Sequence, residues 1–146
     1  MSMPISPAPA SMGRALSLLW LFAILNVLFR DIHEMTTAST INEILSGHLN
    51  GVPVTEGALL VGAVLVELLL LAFLLSSVLP SNLSRRLNLM LAPLAVFGVT
   101  FGAPNDPDDY FFAAVQIGTF AVIFTFALRW DTSISASETL RGRYAA

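Results

Sequence analysis

Four long stretches of almost unbroken apolar residues divide this chain, over residues 13–33, 56–79, 86–103 and 108–129. Crossing a hydrocarbon core about 30 Å thick takes roughly 20 mostly apolar residues, so each stretch is long enough to span a membrane. Leucine and alanine dominate them without period-2 alternation, which reads as helix rather than strand. Lipid also requires backbone groups to be paired within the segment, and helices meet that requirement. The pattern therefore predicts an all-α protein: a four-helix transmembrane bundle over 13–130, between a disordered tail at 1–12 and a flexible tail at 131–146.

The polar breaks differ in length. Residues 80–86 and 103–109 form short turns, which force the helices they join to run antiparallel as neighbours. The first break, 31–55, is long. Within it Ile41, Ile44, Leu45 and Leu49 are spaced for a short amphipathic helix on the outer interface or over the bundle end. Gly47 and Asn50-Gly51 then turn the chain. Thr55 is a suitable N-cap for the second span, with Glu56 favourable in its first turn. Pro93 is expected to kink the third span. The first span carries Arg14 before its apolar run, yet no small-x-small cleavage site follows it, so it is read as an anchor.

Composition narrows the chemistry. The 146 residues are 55% hydrophobic and 12% charged, with a net charge of −3, where soluble domains carry about 25% charge. Absence of cysteine excludes disulfides, thiolate metal sites and a cysteine nucleophile. All seven cations are arginines, so a lysine Schiff base is excluded as well. An acidic chain without a basic patch gives no footprint for nucleic acid. Placing both termini in the cytoplasm puts Arg14, Arg85, Arg86, Arg129, Arg141 and Arg143 inside and only Arg30 outside, as the positive-inside rule favours. The expected setting is the plasma (inner) membrane of a bacterium, as a multi-pass protein.

The polar residues inside the spans carry the functional expectation. Glu67 lies eleven positions after Glu56, about 16 Å deeper. A charged carboxylate at that depth is costly and is by default a site facing the bundle interior; the plainer reading is helix-to-helix glue. Asn26, Arg30 and His33 share one face of the first span, and Asp109, Gln116 and Thr119 mark the fourth. If these faces meet, a polar track runs inward from a mouth of Arg30, His33, Glu56 and Asp109 to Asn26, Gln116, Thr119 and Glu67. Arg30 is expected to pair with Asp109, Asp106 or Glu56. His33, Glu34, His48 and the 106–109 turn lack any recognised metal-ligand spacing, so neither metal nor cofactor is expected. Small residues four apart, at Ala58/Gly62, Gly98/Gly102 and Ala114/Gly118, permit close helix approach or a homodimer.

The run Phe29-Arg30-Asp31-Ile32-His33-Glu34, with Val54-Thr55-Glu56-Gly57, Glu67 and Asp108-Asp109-Tyr110-Phe111-Phe112-Ala113-Ala114, resembles an uncharacterised family of small bacterial four-helix membrane proteins, distantly similar to the DoxX-like group. The resemblance covers residues 14–130 and implies a four-helix membrane bundle; it brings no reaction. The expected function is binding or translocation of a small lipophilic molecule or a proton along the track centred on Glu67, with the lipid bilayer as surroundings. One alternative is an intramembrane acid–base enzyme, an isomerase or cyclase, using Glu67 as acid and His33 or Asp109 as base. Another is an accessory subunit of a larger membrane complex.

Overall fold

A computed structural model describes residues 9–49, 51–101 and 106–131. They form helices α1 (Pro9–Glu34), α2 (Ala38–Leu45), α3 (Glu56–Val78), α4 (Ser81–Phe101) and α5 (Pro107–Arg129). A two-residue hairpin, β1 (His48–Leu49) and β2 (Val52–Pro53), precedes α3. The four long helices close a ring of neighbours, α1 on α3, α3 on α4, α4 on α5 and α5 on α1. Glycine in the left-handed region at Gly47 and Gly51 makes the turns into and through the hairpin, as the Asn-Gly pair favours.

Local rules explain most helix ends. The Ala58 amide donates to the Thr55 hydroxyl at 3.2 Å, capping α3. At α5 the cap is Asp106, whose carboxylate accepts from the Asp109 amide, and Pro107 follows at a position where its missing N–H costs nothing. Three boundaries differ from expectation. Helix α1 begins at Pro9, inside the expected N-terminal tail, and a proline in the first turn is compatible with that. Helix α4 begins at Ser81 rather than at residue 86, because Ser84 and Asn88 face inward and continue the helix while Arg86 faces out. The expected amphipathic helix is α2; its predicted end at Leu49 is instead the hairpin's first strand. Helix α4 continues through Pro93, which lies on its exposed side.

Packing is uneven along the molecule. The buried core gathers Leu16, Trp20, Ala23, Ala72, Ala92, Phe120, Ile123 and Trp130, and the Trp20 and Phe120 rings stand 5.5 Å apart. Polar groups tie the same region. Trp20 Nε1 donates to Asn88 Oδ1 at 2.6 Å. Asn88 Nδ2 donates to the Ser84 carbonyl at 2.8 Å and to Ser76 Oγ at 3.0 Å. Ser84 Oγ donates to the Ser76 carbonyl, and Ser17 Oγ to the Phe73 carbonyl. Beside them Gly13 lets α1 approach α3 so closely that an added Cβ would meet the Ser76 carbonyl oxygen at 2.8 Å. We call this end the inner half and the opposite end the outer half, as labels only. Toward the other end α3 stands apart: every residue from Glu56 to Glu67 is exposed.

The small-residue pairs do not do the packing expected of them within the chain. A Cβ added at Gly62, Gly98 or Gly118 would meet nothing within 4 Å. Gly102 lies outside the described residues, as do 132–146, which include the expected tail arginines.

Candidate functional site

Helices α1 and α5 bring together the charged residues at the outer end. Arg30 Nε donates to Asp109 Oδ1 at 2.7 Å, with the Asp109 side chain only 2% exposed. The Arg30 guanidinium also lies 3.6 Å from Glu34, one helical turn on, a spacing that places two side chains on one face. One turn along, His33 Nε2 lies 3.0 Å from Asp108 Oδ2, and its ring stands 6.2 Å from that of Phe112. Of the carboxylates expected to meet Arg30, the structure selects Asp109. Taking a carboxylate out of water is costly unless a cation and further hydrogen bonds receive it, and Arg30 supplies the cation.

Beneath this charged layer sit two unsatisfied groups. The Arg30–Asp109 and Trp20–Phe120 contacts fix the register of α1 against α5. Asn26 and Gln116 both lie between those two layers. Gln116 is buried, and its Nε2 has no hydrogen-bond partner among the described residues; the same holds for the buried Asn26 Oδ1. One is a donor and the other an acceptor. An unmade hydrogen bond on a buried group costs about 1–3 kcal/mol, so these two atoms are a local cost to the fold that no other described residue offsets. Thr119 is buried beside them, but its hydroxyl donates to the Val115 carbonyl of its own helix at 2.8 Å.

Two expected members of the track stand elsewhere. Glu56 is exposed in the first turn of α3 and makes no side-chain ion pair or hydrogen bond among the described residues. Glu67 is also exposed. It lies nine positions before buried Ser76, two and a half turns, and therefore on the opposite side of α3. The track expected to centre on Glu67 is thus corrected: that carboxyl points away from the packed helices. Nothing in α3 aims it inward, because a helix apolar on every side carries no moment to orient it.

The sequence reading also passed over partners. Glu34 was legible as a partner of Arg30 at i+4, and Asp108 as the neighbour of Asp109. The Trp20–Asn88–Ser76–Ser84 network had no such signal, since serines inside apolar helices look neutral. His48, considered as a metal ligand, sits on the exposed hairpin with Nδ1 3.2 Å from the Ser46 carbonyl.

Helices α1, α3 and α5 are each long and apolar enough to cross a membrane, over Met12–Glu34, Glu56–Val78 and Pro107–Arg129, and they mark a membrane protein. The chain belongs to DUF6326, a family of unknown function whose model matches residues 9–137. No curated protein matches it, and no solved structure does.

Proposed function

We propose that this chain is a four-helix bundle of the plasma membrane that holds a small lipophilic molecule in its outer half, with Gln116 and Asn26 as polar anchors. The observation that supports this reading is the pair of buried atoms without a partner among the described residues, Gln116 Nε2 and Asn26 Oδ1, both between the Arg30–Asp109 and Trp20–Phe120 contacts. Such a ligand offers an acceptor such as a carbonyl to Gln116 and a donor such as a hydroxyl to Asn26. The Arg30–Asp109 pair closes the layer from outside, and His33 with Asp108 extends the lid. The separated outer half of α3 supplies the way in from lipid, since Gly62, at the level of Asn26, has open space where a side chain would stand.

Four crossings fit the geometry. Helix α3 ends beside the start of α1, at Ser76 and Gly13, while α5 begins beside the end of α1, at Asp109 and Arg30. Helix α4 joins those opposite ends, and its 21 residues cover about 31 Å. Arginines 14, 85, 86 and 129 then share one face, which the positive-inside rule assigns to the cytoplasm with both termini.

Native mass spectrometry of protein extracted in mild detergent tests the ligand. The wild type should carry a stoichiometric small molecule, and the double variant Asn26→Leu/Gln116→Leu should lose at least nine-tenths of it while remaining folded. A wild type that carries nothing, or a double variant that retains the load, would sink the reading.

A further inference from the structure

Helix α3 has a second face that the ligand layer does not use. Counting by helical turns, Glu56, Leu60, Ala63, Glu67, Leu71, Leu74 and Val78 fall on one stripe, and all seven are exposed. The side opposite carries Ala72 and Ser76, the buried residues of α3. In a membrane this stripe faces lipid, with a carboxyl group near its middle. Glu67 has no hydrogen bond or ion pair among the described residues, and a charge in hydrocarbon is costly.

Among the described residues no ion pair or hydrogen bond brings a cation to Glu67: Arg30 is bound to Asp109 at one end of the bundle, and Arg85 reaches the carbonyls of Ala127 and Leu128 at the other. A partner for Glu67 is therefore sought outside the described residues. A neutral carboxyl carries one donor and an acceptor, so it is complementary to a second copy of itself. A two-fold interface brings each residue on its axis against its own copy. Ala63, one turn from Glu67 on the same stripe, is small enough to let two backbones approach there.

We infer that α3 is a homodimer interface, with a two-fold axis passing close to Glu67 and the two Glu67 carboxyls hydrogen-bonded to each other in the membrane. The partner is a second copy of this chain, and the contact is independent of the Asn26–Gln116 layer. It uses the face of α3 turned away from that layer, so either can fail without the other.

The natural chain has no cysteine, so single-cysteine variants report proximity without background. Under mild oxidation in native membranes, Ala63→Cys should crosslink to a dimer, while Leu69→Cys, on the packed side, should not. Glu67→Gln, which keeps both donor and acceptor, should leave the dimer intact by single-molecule photobleaching in lipid. Glu67→Leu should weaken it about tenfold. Equal crosslinking at both positions, a wild type that counts as monomer, or a Glu67→Leu dimer as tight as wild type would each overturn the interface. So would a Glu67 found paired with a cation of another protein.

Discussion

The two halves of this molecule treat buried polar groups in opposite ways. In the inner half Asn88 is nearly saturated, accepting from Trp20 and donating to Ser76 and the Ser84 carbonyl. The helices there are close enough that Gly13 has no room for a side chain. Trp130 Nε1 is the one buried polar atom of that half without a partner among the described residues. In the outer half, Asn26 Oδ1 and Gln116 Nε2 are buried without a hydrogen-bond partner among the described residues, and α3 is exposed from Glu56 to Glu67. Polar residues in a membrane helix therefore carry no single meaning. Where their hydrogen bonds close within the protein they fasten helices; where they are left open they fasten nothing within the chain.

The contrast can be broken by substitution. The largest effect is expected at Asn88. Replacing it by leucine strands the Trp20 indole N–H and removes bonds shared by three helices. Unfolding in detergent should then show a loss of about 3 kcal/mol. A loss below about 1 kcal/mol would mean that the network is not what fastens the inner half. Next comes Gly13→Ala. Its Cβ would lie 2.8 Å from the Ser76 carbonyl oxygen, backbone that has little freedom to yield, so a cost of about 2 kcal/mol is expected. The smallest effect sharpens the comparison by its sign. Gly62→Ala, with nothing within 4 Å of the new methyl group, should stabilise by about 0.5–1 kcal/mol through helix propensity alone. A destabilising Gly62→Ala would show that the outer half of α3 is packed after all, and melting curves of the two glycine variants side by side decide it.

Much of the architecture was legible because lipid is a strict solvent. The long apolar stretches could be little else than helices, and the Thr55 cap and Asn-Gly turn follow from local chemistry. The charged mouth was partly legible: Arg30 is a lone outer cation among acids, and the Asp-rich start of α5 was the evident place for its partner. Three things were hidden. The face that α3 turns inward was hidden because leucine and valine surround it on all sides, so Glu67 was assigned to the interior by its cost rather than by any pattern. The inner network was hidden because Ser76, Ser84 and Asn88 belong to two helices whose register is a tertiary fact. The two-residue strands were hidden because so short a pairing has no periodicity to read.

Anchoring α3 at one end only has a mechanical consequence. Ser76 rests on Gly13 with no slack, whereas twenty positions away Glu56 is exposed, with no other helix of its own chain covering it. The helix is a lever about 30 Å long, and a tilt of about 10° at its fulcrum carries the far end some 5 Å. The opposing wall moves less freely, because Arg30 and Asp109 tie α1 to α5 at the same outer end. Such a tilt changes the separation of α3 from α1 at that end by about the width of a hydrocarbon chain while the core around Trp20 stays as it is.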